Sequence, residues 1–246
     1  MKAPERIKYI KNWIIEYCKS MPREADSLIV GISGGIDSSV TSALCALTGK
    51  KTIVLSMPLN QIKEQHDLSL KHQYWLKSKF KNVESHLINL DSLFKSFKIS
   101  LNDFNNEHGL ANSRARLRMI TLYQVAASNN GIVVGTGNKI EDFGVGFYTK
   151  YGDGGVDILP IADCTKSQVW EMGKNLGIEK EIIEAQPTDG LWDDGRTDAN
   201  QLEMSYKELE NAMKNSLDKN YKKYLEIRKR NLHKMNPIPI CKIKDD

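Results

Sequence analysis

Gly31-Ile32-Ser33-Gly34-Gly35-Ile36-Asp37-Ser38-Ser39 lies between an apolar run at 28–30 and a stretch of helical character at 40–47. A glycine-rich turn joining a strand to a helix suits an anion. Adjacent glycines permit positive φ and close backbone approach, and the helix start offers unpaired N–H groups and the positive end of its dipole. Ser33, Ser38 and Ser39 add hydroxyl donors, and Asp37 adds a carboxylate suited to Mg²⁺. No lysine lies in the loop and no Gly-Lys-Ser/Thr closes it, so this is not a Walker loop and positive charge must come from elsewhere. An ordinary turn with Asp37 or Ser38 capping the helix would use the same residue types, but so many converging donors favour a phosphate.

Val134-Gly135-Thr136-Gly137-Asn138-Lys139-Ile140-Glu141 offers a hydroxyl and a second carboxylate, and Glu141 is placed to complete the Mg²⁺ shell begun by Asp37. Taken alone, the segment reads equally well as a capped turn with a solvated glutamate, and Gly135-x-Gly137 lacks the third glycine of a dinucleotide fingerprint. Segment 147–157, FYTKYGDGGVD, packs a lysine, two aspartates and three glycines into one loop. Such a loop implies close backbone approach to a ligand, although Gly-Asp-Gly-Gly is also good β-turn material. Lys166, after Thr165 near a helix start, is the candidate for the lysine missing from the first loop. On one helix Arg114 and Arg118 share a face while Arg116 points away, so the three do not serve one site. An Arg116 facing substrate has the fork for a phosphate or carboxylate, and its neighbours are expected in structural ion pairs.

These groups must be positioned by the elements between them. Apolar β-rich runs at 28–32, 52–57, 83–90 and 132–135 alternate with helical stretches at 38–47, 61–80, 112–129 and 165–176. That alternation predicts an α/β fold with a twisted parallel sheet and crossover helices on both faces. Beyond Pro187 a polar acidic loop at 189–198 leads to charged helices at 205–215 and 218–233. The expected organisation is one domain over 1–246, with a core at about 28–186 and a C-terminal helical extension at about 187–246. Ligands of open α/β sheets bind at the carboxyl ends of strands, which puts the first two motifs on one rim.

The whole chain has the composition of a soluble globular protein. With 246 residues, 40% hydrophobic and 27% charged, it can bury one substantial core. Lys+Arg 35 against Asp+Glu 31 leaves +4, too little to argue for nucleic acid, and the run Lys222, Lys223, Arg228, Lys229, Arg230 reads as a solvated helix face. Cys18, Cys45, Cys164 and Cys241 form no C-x-x-C pair. The charged opening is unlike a signal peptide and no stretch is long enough to span a bilayer, so the expectation is a cytoplasmic protein with reduced thiols and no membrane partner.

SGGIDSS resembles the pyrophosphatase loop of the N-type ATP pyrophosphatases, which cleave ATP to AMP and pyrophosphate. With GTGNKIE, YTKYGDGGVD, DCTKSQVW and QPTDGLWDD in this order and spacing, the chain resembles the NAD synthetase family from about Ile29 to Lys234. Those ligases amidate the nicotinic acid ring of deamido-NAD. The resemblance implies a Rossmann-like, adenine nucleotide alpha hydrolase-like fold. It implies that Gly31, Ile32, Ser33, Gly34, Gly35, Ile36, Asp37, Ser38, Thr136, Lys166 and Thr188 bind ATP, that Asp37 and Lys166 are catalytic, and that Asp37 and Glu141 hold Mg²⁺. Arg116, Lys150, Asp157, His233 and Lys234 match positions that hold deamido-NAD. It further implies ammonia as nitrogen source and a homodimer with substrate sites at the subunit interface. One extra residue between Glu141 and Lys150, and Arg114 where lysine is frequent, depart from the family pattern. The rival readings are a tRNA-modifying N-type ATP pyrophosphatase, which would normally carry a catalytic cysteine pair or a basic RNA surface, and a non-catalytic adenine-nucleotide-binding module.

Overall fold

The computed structural model describes residues 1–60, 62–192 and 196–243. Four parallel strands, β1 (Ser27–Gly31), β2 (Lys51–Ser56), β3 (Val83–Leu87) and β4 (Gly131–Val133), form a sheet of order β3-β2-β1-β4. Leu28 pairs with Thr52 on one side and Ile132 on the other, and Thr52 with Val83. The chain runs from β1 outward to β3 and then returns to the opposite side of β1 at β4, so the winding direction changes between β1 and β4. Crevices for ligands open at such switch points.

Alternation along β1 decides the layers. Leu28 and Val30 point to one face, where they pack with Ile10 and Ile14 of α1 (Ala3–Ser20), Val40 and Leu44 of α2 (Ile36–Leu47), and Val169 and Met172 of α6 (Lys166–Leu176). Ile29 points to the other, with Phe94 of α4 (Asp91–Ser100) and Ala126 of α5 (Glu107–Ser128). The expected sheet with helices on both faces is observed. β3 and β4 are shorter than predicted, and the residues that complete the expected β4 run form only a bridge, Val134 to Ile158.

The helix at 61–80 is α3, Lys63–Lys79; Gln61 lies outside the described residues. α5 begins earlier than predicted because Asn106 caps it by accepting from the Gly109 amide. α1 and α4 were not predicted. α1 carries the periodic Ile7, Ile10, Ile14 and Cys18 beneath a charged surface, and α4 buries only Phe94. After the short α7 (Lys180–Glu184), the C-terminal helices α8 (Asp198–Leu202), α9 (Tyr206–Lys214) and α10 (Tyr221–Met235) build a third core. That core includes Ile140 and Val145 of a π-helix, Lys139–Val145, where only a turn was expected. Of the expected acidic loop, residues 193–195 lie outside the described residues.

Candidate active site

The SGGIDSS turn leaves β1 and enters α2 at the switch point. Gly34 has φ +90°, and a Cβ there would stand 2.6 Å from the Gln65 carbonyl oxygen, so both conformation and space require glycine. Ser38 is buried. Its hydroxyl donates to the Gly35 carbonyl at 3.0 Å and accepts from the Ser33 amide at 3.3 Å, which holds the turn in shape.

Beside it, the turn after β4 carries the second carboxylate. Asn138 is fully buried, and its Oδ1 accepts from the amides of Ile140 (3.0 Å) and Glu141 (3.1 Å), capping the π-helix. The same side chain donates from Nδ2 to Asp37 Oδ1 at 3.0 Å. One amide therefore sets the spacing of both carboxylates. A Cβ at Gly137 would overlap the Asp142 carboxylate, so this turn too admits only glycine.

Lys166 completes the group. Thr165 and Gln168 form a capping box that starts α6, and Lys166 is its first residue, 2% exposed. Its ammonium donates to Asp37 Oδ2 at 2.5 Å and to Glu141 Oε1 at 2.8 Å. It is a buried cation held between the two carboxylates, and not the solvated surface lysine that its composition allows. Burial pulls the ammonium toward neutrality, but Asp37 and Glu141 outweigh it and hold the proton more tightly than usual. Burial pushes the Asp37 carboxyl up against the pull of Lys166. For Glu141 the upward push of burial is overcome by Lys166 and by hydrogen bonds from Lys166, Tyr206 and Asn138, and its carboxyl lies below the ordinary range.

Three adjoining pockets meet here. A pocket of about 120 Å³ is lined by the glycine loop with Met57, Leu68, Arg118, Thr136 and Thr188. A central one of about 180 Å³ contains Asp37, Glu141, Lys166, Thr136 and Thr188. An outer one of about 320 Å³ contains Arg116, Lys150, His233 and Lys234 with the rings of Phe147, Tyr148 and Trp192. The central pocket shares Ser33, Gly35, Ser38, Thr136, Thr188 and Asp189 with the first, and Phe147, Asp153, Asp189 and Leu191 with the outer one. The cleft is therefore continuous from the glycine loop to the basic, aromatic end.

Most of the expected site residues converge on this cleft. Asp157 does not line it: its carboxylate accepts from the Val133 amide at 2.7 Å and from the Tyr123 hydroxyl at 3.1 Å. Arg116 faces the outer pocket and donates to the Lys150 carbonyl. Arg118, expected in a structural ion pair, lines the first pocket and donates to the Met57 carbonyl at 3.2 Å. Arg114 is buried against Phe94 and donates to the Leu191 carbonyl at 2.6 Å. Sequence reasoning missed Asn138, Tyr206 and Asp198. Asn138 carried a signal, an asparagine at the mouth of a helix, whereas Tyr206 and Asp198 reach the site from a distant part of the chain.

The family model for NAD synthase matches residues 6–244. The chain belongs to the NAD synthase family. It is 35% identical to the NH3-dependent NAD(+) synthetase of Carboxydothermus hydrogenoformans over 85% of this chain and 84% of that one. Among solved structures, it is similar to an NMN synthetase from Francisella tularensis, with a TM-score of 0.91 and 32% identity over 99% of this chain and 100% of that one. An NH3-dependent NAD synthetase from Campylobacter jejuni, solved with a nitrate ion, gives a TM-score of 0.78 and 26% identity over 98% and 100%. The family match sets the chain with these ligases, not with the tRNA-modifying enzymes that share its glycine loop. As an NAD synthase family member it is an enzyme, and the non-catalytic reading falls.

Proposed function

We propose that this protein amidates deamido-NAD to NAD with ammonia, using ATP and releasing AMP and pyrophosphate. The observation that carries the reading is the continuous cleft, with an anion-binding loop at one end, basic and aromatic groups at the other, and the Asp37–Lys166–Glu141 group between them.

The chemistry requires that order. A carboxylate is a poor electrophile, and transfer of AMP to it creates an acyl adenylate that ammonia can attack. Negative charge then builds on the α-phosphate and the departing pyrophosphate. The loop amides and the helix α2 N-terminus receive the phosphates, and Lys166 is the cation closest to the carboxylate pair. Beside Lys166, the central pocket contains Asp37, Glu141, Asp153 and Asp189, so an incoming triphosphate meets an excess of acidic groups. That excess of acid fits a divalent cation. Asp37 and Glu141 would hold Mg²⁺, which supplies charge neutralisation for the pyrophosphate. Arg116, Lys150, His233 and Lys234 would bind phosphates of the pyridine nucleotide, and Phe147, Tyr148 and Trp192 offer faces for its ring. A homodimer completing the outer pocket, and a cytoplasmic setting with reduced thiols, are part of the same proposal.

A second reading is favoured by one observation. The Francisella tularensis structure to which this chain is similar at a TM-score of 0.91 is an NMN synthetase. Under that reading the acceptor is nicotinic acid mononucleotide and the chemistry at the carboxylate is unchanged. Incubation of the purified protein with ATP, Mg²⁺, ammonium and each acceptor in turn tests both. The first reading expects NAD and equimolar AMP, with deamido-NAD giving the higher kcat/KM, and the second reverses the preference. Absence of AMP with either acceptor would refute both.

A further inference from the structure

Residues 187–192 carry no regular secondary structure, yet they line all three pockets. Pro187, Thr188 and Asp189 face the centre, Thr188, Asp189 and Gly190 the first pocket, and Asp189, Leu191 and Trp192 the outer one. This shared wall hangs on the short helix α8. The Asp198 amide donates to the Pro187 carbonyl at 3.0 Å, Gln201 Nε2 donates to Asp189 Oδ2 at 3.0 Å, and Gln201 Oε1 accepts from Trp192 Nε1 at 3.0 Å.

One side chain ties α8 to the catalytic carboxylates. Tyr206, at the start of α9, is 7% exposed, and its hydroxyl lies 2.6 Å from Asp198 Oδ2 and 2.5 Å from Glu141 Oε1. A phenol has one proton to donate, so two short contacts with carboxyl oxygens require a second proton from one of the carboxyls. Glu141 Oε1 already accepts from the Lys166 ammonium. The extra proton therefore belongs to Asp198, which donates to Tyr206, which donates to Glu141. Burial and then the Glu141 charge push the Asp198 carboxyl up, in agreement with that assignment. The ring is fixed independently of the hydroxyl. Trp170 meets it edge-on with centroids 6.2 Å apart, and Lys166 Nζ stands 4.6 Å from its centroid.

We propose that Tyr206 and Asp198 are positioning residues that couple the 187–192 wall to the Glu141–Lys166–Asp37 group, so that the nucleotide and acceptor pockets are held in shape together. The catalytic meaning of the coupling rests on the ligase reading; the coupling itself does not.

Tyr206→Phe removes the hydroxyl and keeps the ring. Amide hydrogen exchange at 188–192 is expected to rise about tenfold, the effect of one lost hydrogen bond, while α2 and α6 exchange at the native rate. KM for ATP and for the pyridine nucleotide should rise together. Asp198→Ala should copy the exchange phenotype, and Asp198→Asn, whose amide also donates to a phenol oxygen, should restore protection. Native exchange at 188–192 in Tyr206→Phe, or Asp198→Asn behaving like Asp198→Ala, would overturn the proposal. If exchange responds as expected in a protein that forms no AMP with either acceptor, the coupling stands and the ligase reading falls.

Discussion

At the scale of single residues, the site is a problem in placing like charges close together. Asp37 and Glu141 share one cation, Lys166, and one neutral spacer, Asn138. Asp198, 4% exposed, holds its proton up to about pH 7, because burial and the Glu141 charge oppose its ionisation. Its ordinary value is 3.8. A carboxyl whose pKa is raised by folding stabilises the protein fully below its unfolded value, and that contribution is lost as pH rises through the folded value. Stability should therefore fall between about pH 4 and about pH 7, and Asp198→Asn, permanently neutral, should flatten that part of the curve. Urea unfolding at a series of pH values checks this, and an unchanged slope in the variant would show Asp198 to be ionised throughout. Asp37, Glu141 and Lys166 were legible in the sequence because each sits in a local motif. Tyr206 was not, since neither its composition nor its spacing signals a contact with a glutamate 65 residues away.

At the scale of elements, glycine turns and caps were the readable features. Gly49, with φ +79°, follows α2, Gly177, with φ +73°, ends α6, and both glycine motifs fall where two strands hand over to helices. The π-helix was unreadable because it depends on partners far along the chain. Arg228 of α10 donates to the carbonyls of Phe143 and, at 2.8 Å, Gly144, while Asn231 donates to the Val145 carbonyl at 3.0 Å. These bonds satisfy carbonyls at the end of the helical turn that presents Glu141. Arg228→Met should cost about 2 kcal/mol, the scale of charge-assisted hydrogen bonds to carbonyls, and should slow AMP formation by loosening Glu141. Lys229→Met, on the exposed face of the same helix, should change neither. Chemical denaturation and an AMP assay measure the two effects, and equal behaviour of the two variants would deny α10 its clamping role.

At the scale of the whole molecule, the parallel sheet brings the ends of β1 and β4 to one rim, and α8 and α10 add Asp198, Gln201, His233 and Lys234 to the walls of the cleft. Three pockets run in sequence along the cleft, and under the proposed reaction they would take ATP at the glycine loop, the carboxylate to be activated at the centre, and the rest of the acceptor nucleotide at the basic end. Among the described residues no helix is long and apolar enough to cross a membrane. The central claim is that an acceptor carboxylate attacks the α-phosphate in the middle of this cleft. Isotope transfer tests it most directly. With the acceptor carboxylate labelled with ¹⁸O and the reaction run in unlabelled water with ATP, Mg²⁺ and ammonium, one labelled oxygen per turnover should appear in the phosphate of AMP and none in pyrophosphate. AMP free of label, with ¹⁸O in pyrophosphate or orthophosphate instead, would contradict an acyl-adenylate route and the assignment of the cleft built on it.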